Sequence, residues 1–218
     1  LQINQYQKVK DKEVLILLNL GNIYDELLNL DSSVYYYQIA ITKAEEFGDL
    51  RLMAMAYGNM GVSQHQLKNY VAAEKYMRKA LKIRTESDDI EGQAILYNNF
   101  ATLFVATKKC KEAINYFNKS LRTNSQDKIS KAKNYEILGD MNFDKSVYRE
   151  AGNYYDSTMT NLVLNSKPYR TIKRKRDNLE DVIYYEDIAK VNDSVLNLVN
   201  LSEADRLTYF ESFIETLK

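Results

Sequence analysis

Ala54-Met55-Ala56-Tyr57-Gly58-Asn59-Met60-Gly61, then a turn, then Tyr70-Val71-Ala72-Ala73-Glu74-Lys75-Tyr76-Met77-Arg78-Lys79-Ala80-Leu81, is the stretch that decides the fold. Small residues at Gly61, Ala73 and Ala80 alternate at helical spacing with bulky ones at Tyr57, Met60, Met77 and Leu81. Two helical stripes of this kind can press together closely. The same roles recur 40 positions earlier at Leu17, Leu20, Gly21, Ser33, Tyr37 and Ala40, and 40 later at Tyr97, Phe100, Ala101, Ala113, Phe117 and Ser120. A further step of 38 gives Tyr135, Leu138, Gly139, Ala151, Tyr155 and Thr158. Chance would not keep small and large positions apart in four copies, so the chain reads as an all-α array of helix pairs over 11–164.

Composition agrees with long helices. One proline and seven glycines in 218 residues, with 45% hydrophobic residues, leave little material for sheets or a flexible linker. Thirty Lys+Arg balance thirty Asp+Glu. With no overall field, neither nucleic acid nor an anionic membrane is favoured as a bulk partner, and a protein or peptide recognised by local shape is expected. No apolar run reaches the roughly 18 residues of a membrane helix, so direct membrane insertion of this stretch is not expected. The first ten residues lack a signal peptide's apolar core, and the chain opens on Leu1 rather than Met, as a piece of a longer or processed protein would.

Helix boundaries follow from caps and breakers. The first pair is expected over about Lys12 to Leu28 and onward to about Phe47, with Asp31 or Ser32 as cap and Gly48-Asp49 closing the unit. Leu1 to Val9 reads as the end of a preceding helix or a connector. The second pair covers about 50–66 and 70–85, and the third about 90–106 and 110–123, capped from Ser87-Asp88-Asp89. After Ser125-Gln126-Asp127 the fourth covers about 128–144 and 147–164. Beyond Leu164 the pattern stops. Asn165-Ser166-Lys167-Pro168 starts a new helix expected to run to about Val199, and Ser202 with Asp205 resembles a capping box for a last one with Leu207, Phe210, Ile214 and Leu217 on its apolar side. These two helices, in 165–218, are expected to cover the end of the array.

Leu17-Leu18-Asn19-Leu20-Gly21-Asn22-Ile23-Tyr24, a large residue followed by Leu-Gly and then Tyr, together with a small residue and an aromatic in the second helix, resembles the tetratricopeptide (TPR) repeat. The resemblance implies a right-handed solenoid. The usual unit is about 34 residues, so a spacing of 40 implies longer helices, as in the extended peptide-binding TPR proteins. Gln64 and Asn142 stand where a Tyr is usual, and Thr158 replaces the usual Ala. The tail segments Tyr154 to Met159, Ile172 to Leu179, Asn192 to Leu196 and Leu201 to Arg206 look like those that follow the repeats in the SprE/PorW gliding-motility and type IX secretion lipoproteins. That likeness implies a scaffold at the periplasmic face of a Bacteroidetes outer membrane, with secretion-complex components as partners. The rival is the ligand-sensing TPR region of a cytoplasmic signalling regulator.

In a TPR stack the first helix of each pair lines the concave face. Asn19, Asn59 and Asn99 share one repeat position there, and an amide offers the donor and acceptor that a peptide backbone needs. The same amides could instead cap or cross-link neighbouring helices. Asn22, Val62, His65, Thr102, Val105, Glu136 and Asp140 surround them. TPR domains that grip a terminal carboxylate carry basic groove residues, whereas Leu18, Gly58 and Asn98 hold one such position here, so an internal or neutral segment is expected. The run Lys167, Arg170, Lys173, Arg174, Lys175 and Arg176 forms either a docking patch for an acidic partner, centred on the first four, or a solvated face offset by Glu180, Asp181, Glu186 and Asp187.

His65 has no second imidazole or nearby thiol with which to make a metal site and reads as a polar groove residue. Cys110 reads as a half-buried structural thiol, and Tyr35-Tyr36-Tyr37 and Tyr184-Tyr185 mostly as packing. No phosphate loop, zinc-binding His-Glu-x-x-His or nucleophile elbow occurs, so no enzyme activity and no cofactor are expected.

Overall fold

The computed structural model describes residues 2–123 and 127–216. Eleven α-helices and no strand occur among them. They are α1 (Gln2–Glu26), α2 (Leu30–Phe47), α3 (Leu50–Gln66), α4 (Tyr70–Glu86), α5 (Ile90–Ala106), α6 (Cys110–Arg122), α7 (Lys128–Phe143), α8 (Tyr148–Thr160), α9 (Lys167–Asp177), α10 (Glu180–Asn200) and α11 (Glu203–Thr216). Two compact units result, Leu1–Asp127 and Lys128–Lys218. The boundary expected at 164/165 does not coincide with this division.

In the first unit consecutive helices pair as α1/α2, α3/α4 and α5/α6. The pairs are antiparallel: Gly21 lies against Tyr37, Glu13 meets Lys43 at 3.7 Å, and the Lys10 ammonium sits 4.7 Å from the Phe47 ring centre. The repeated small residues are the points of closest approach. A methyl added at Gly21 would lie 2.3 Å from Tyr37 Cε1, and one at Gly61 would lie 2.7 Å from Met77 Cγ. In the second unit a methyl at Gly139 would lie 2.6 Å from Tyr155 Cε1. The third copy has Ala101 and Phe117 in these roles, both fully buried. Met60, Met77 and Phe100 of the predicted stripes are buried, together with Val14, Leu52, Ala54, Leu96 and Leu103 beside them, whereas Leu17, Leu20, Leu81 and Tyr97 of the stripes are only half-buried.

Every helix pair turns in the same way. The first helices of the four pairs are followed by a left-handed residue, Leu28, Lys68, Lys108 and Ser146, each with φ between 58° and 63°. The next amide then reaches back five residues: Asn29 N–H to Tyr24 O at 2.9 Å, Asn69 to Gln64 at 2.8 Å, Lys109 to Phe104 at 2.8 Å and Val147 to Asn142 at 2.9 Å. This is the Schellman arrangement, which satisfies otherwise orphaned carbonyls at a left-handed residue. Gly48 (φ 70°) and Asp88 (φ 51°) do the same at the ends of α2 and α4.

Caps are partly as expected. Asp49 accepts from Leu52 N–H, Asp89 from Gly92 N–H and Ser166 from Tyr169 N–H, and Asp205 N–H donates to Ser202 Oγ. For α2, however, Asn29 caps rather than Asp31 or Ser32, because the left-handed Leu28 places the helix start two residues earlier. The first helix also begins at Gln2, not near Lys12, so most of the expected connector is helical. Leu1, Ser125, Gln126 and Leu217 lie outside the described residues.

The single helix expected over 168–199 is broken: α9 stops at Asp177 and α10 starts at Glu180. Neither Gly nor Pro marks the break. Leu179 turns inward there and is buried with Ile172, Ala151 and Tyr155, with Tyr148, Met159, Leu162 and Ile183 against them. Thus α9 and the first turn of α10 cover α8. The rest of α10 and all of α11 bury no residue, and Tyr184 and Tyr185, expected to pack, are exposed. Cys110, expected half-buried, is exposed at the first turn of α6.

The close approach at Gly21 predicts that Gly21→Ala lowers stability by about 1–3 kcal/mol in denaturant melts, with Gly21→Ala/Tyr37→Leu recovering part of the loss. Left-handed strain predicts the opposite sign at the turns. Relief of about 1–2 kcal/mol at Lys68 outweighs the added freedom of glycine in the unfolded chain, so Lys68→Gly should raise the melting temperature by a few degrees in calorimetry.

Candidate functional site

The amides singled out in the sequence sit on α1, α3 and α5, the first helices of the three pairs in the first unit. These helices are neighbours, since α3 packs on both α1 and α5. Asn19 is exposed, and Asn59 and Asn99 are half-buried. Asn59 Nδ2 donates to Asn22 Oδ1 at 3.0 Å, and the same oxygen accepts from the Tyr37 hydroxyl at 2.7 Å. Asn22 and Asn59 therefore cross-link α1 to α3, which is the structural role the sequence left open. Asn19 and Asn99 make no side-chain hydrogen bond to the described residues, although the Thr102 hydroxyl bonds the Asn99 carbonyl oxygen at 2.9 Å.

A second network lies one turn further along. Ser63 Oγ donates to Asp25 at 2.7 Å and accepts from Ser33 at 3.1 Å, while Gln66 Nε2 donates to Asp25 at 3.1 Å. The last turn of α3 thus covers the end of α1. Val62 and His65 are half-buried on α3; His65 lies 5.8 Å from the Tyr70 ring, and burial lowers its imidazole pKa.

Leu18, Gly58 and Asn98, read as a groove position, point inward instead. Leu18 and Gly58 are buried, and a methyl at Gly58 would meet Leu96 and Ala80. Asn98 Oδ1 is buried without a hydrogen-bond partner among the described residues. Basic residues at this position would be desolvated in the stack, so their absence carries no information on what lies outside.

In the second unit Asp140 holds the repeat position of Asn22, Val62 and Thr102, and is engaged. Tyr155 OH donates to Asp140 at 2.7 Å, as Tyr37 does to Asn22. Lys175 of α9 donates to Asp140 at 2.8 and 3.0 Å and to Glu136 at 3.2 Å. Burial, the bond to Asp140 and the neighbouring carboxylates Asp140, Asp144 and Glu136 push the Tyr155 phenol well above its ordinary value.

In the sequence Lys175 reads only as part of the basic run, because the repeat pattern stops at Leu164; the structure places it on two carboxylates. A step of 38 from the fourth copy aligns Ile172 with Asn134, Leu96 and Ala56, all four of them buried, and with Ile16, which is exposed. It also puts Lys175 at the position of Asn19, Asn59 and Asn99. Its bond back to Asp140 matches that of Asn59 to Asn22. The signal in sequence was the single apolar Ile172 in a basic run, too little to register a repeat.

The basic run is thus divided. Lys175 and Arg176 are spent on Asp140 and on Asp156, at 3.0 to 3.1 Å for the latter. Lys173 pairs with Asp177 one turn away at 2.8 Å. Arg170 donates to the Asn165 carbonyl at 3.0 Å, and Lys167, Arg170 and Arg174 are exposed. Among the described residues no helix is long and apolar enough to cross a membrane, and no three His, Cys, Asp or Glu side chains are grouped to hold a metal.

No curated protein matches the sequence. Among solved structures, the crystal structure of MamA is 17% identical, with a TM-score of 0.55 over 72% of this chain and 83% of that one. The crystal structure of BtubC (BKLC) from P. vanneervenii is 16% identical, with a TM-score of 0.53 over 80% of this chain. The alignment spans 66% of BtubC's length. At these identities the likeness is one of fold. The family model of the tetratricopeptide repeat matches residues 13–86 and 52–126, more than half of the chain. With its paired helices and its Gly-against-aromatic columns, the chain belongs to the tetratricopeptide repeat family.

Proposed function

We propose that this chain is a non-enzymatic scaffold that holds a segment of a partner protein along the first-helix face of its repeats. Chains of the TPR family are protein-interaction scaffolds in general; the finer assignment of the face is ours. The observation that carries it is the run of same-position amides on neighbouring helices, of which Asn19 and Asn99 keep side chains unengaged by the described residues. Asn59 spends one N–H on Asn22 and retains its carbonyl oxygen for a ligand. Each backbone bond would contribute about 1 kcal/mol net, so side-chain anchors must supply the remaining affinity. Val62, His65, Thr102 and, in the second unit, Asp140 are the nearby candidates, and Lys167, Arg170, Lys173 and Arg174 the candidate docking patch.

The proposed setting is a type IX secretion and gliding-motility lipoprotein at the periplasmic face of the outer membrane. It is supported by the likeness of the tail sequence. Co-purification of the parent protein with other secretion components is the expected result; recovery with a kinase or a DNA-binding partner in the cytoplasm would overturn it.

For the face itself, Asn59→Ala/Asn99→Ala should weaken binding of the co-purified partner about tenfold while moving the melting temperature by no more than a few degrees. Unchanged binding with a large loss of stability would assign these amides to helix cross-linking alone.

A further inference from the structure

The second unit contains a cleft of about 400 Å³ lined by Phe143, Tyr148, Tyr155, Leu179 and Val182, with Asp140 and Lys175 at its edge. Its origin lies in the length of α9. The first helices of the earlier pairs end at Glu26, Gln66, Ala106 and Phe143. A step of 38 from Phe143 would end α9 at 181, but it stops at Asp177, one helical turn short. In the first unit the corresponding turn of α3 brings Ser63 and Gln66 onto Asp25. Phe143 holds the repeat position of Asp25, lacks that cover, and is 47% exposed beside Tyr148, with ring centres 5.6 Å apart.

We infer that this cleft is an anchor site for a partner protein segment that supplies the missing turn, placing an aromatic or branched aliphatic side chain over Phe143 with a lysine or arginine beside it. The apolar floor selects the first residue: the volume lies within the roughly 300–1,000 Å³ of ligand pockets, and aromatic walls favour a large apolar group. Charge selects the second. Three carboxylates, Glu136, Asp140 and Asp144, act on this end of the unit, and Lys175 is the ammonium paired with the first two. The excess is negative, so a cationic neighbour is drawn in and an acidic one repelled. The inference rests on the scaffold reading and names a partner feature for the second unit, whereas the amide run concerns the first.

The test uses the full chain labelled with ¹⁵N and titrated with the blocked peptide acetyl-Ala-Lys-Ala-Phe-Lys-Ala-Leu-Lys-Ala-amide. Saturable shifts confined to the amides around Phe143, Tyr148, Leu179 and Val182 are expected. Replacing each Lys of the peptide by Glu, or Phe and Leu by Ala, should weaken binding about tenfold or more. Val182→Trp, which fills the cleft from an exposed position on α10, should weaken the Lys peptide similarly with an unchanged thermal melt; Phe143→Ala is the second variant should Val182→Trp not fold. Equal binding of the Lys and Glu peptides, shifts elsewhere, or undiminished binding in both variants would overturn the proposal. Self-association abolished by Val182→Trp would also overturn it, by seating a second copy in the cleft. Asn59→Ala/Asn99→Ala should leave peptide binding within about twofold, so loss of the amide face and loss of the cleft read out separately.

Discussion

The structure depends on how near the two helices of a pair can come. Where Gly21, Gly61 and Gly139 face Tyr37, Met77 and Tyr155, the large side chain comes within 2.3 to 2.7 Å of where a Cβ would stand, too close for one. Close approach converts one small residue into dispersion contact along the whole ring, and the ring's tip then reaches across the first helix. In the first and fourth copies that tip is a hydroxyl, which finds Asn22 or Asp140. Packing and polar chemistry are therefore set by one column. In the second and third copies Met77 and Phe117 fill the column without a hydroxyl, and the matching positions are Val62 and Thr102 rather than a paired acceptor.

This column was legible in the sequence because it pairs size with spacing over four copies. The helix pairs, their short turns and the buried stripe follow from it directly. The caps at Asp89, Ser166 and Ser202 were legible too, since a short polar side chain before an apolar run has few other uses. What could not be read were features without a residue-type signature. Leu28, Lys68 and Lys108 adopt the left-handed conformation with no glycine to announce it, and Asn178-Leu179 ends α9 by burying Leu179 rather than by a breaker. Tertiary burial there overrides a helical local sequence.

The candidate site was legible to a lesser degree. The amide positions were placed correctly on successive first helices, but the partner of Asn59 within the protein, Asn22, depends on the offset between α1 and α3, which a repeat alignment does not contain. The inward direction of Leu18, Gly58 and Asn98 was hidden for a similar reason. One step of 100° around a helix separates the stacking face from the open one, and both carry mixed residues here. Lys175 was concealed because charge in sequence looks alike whether it is solvated or bridging two carboxylates.

The left-handed residues at 28, 68, 108 and 146 bear on how the chain acquires its structure during synthesis. Each reversal forces an unfavourable backbone state that only the docking of its flanking helices offsets. A lone first helix leaving the ribosome has no reason to turn back, and the reversal becomes favourable once its small residue has an incoming large side chain to receive. Order should accordingly advance along the nascent polypeptide in whole hairpins, with each bend closing as the second arm arrives, rather than residue by residue.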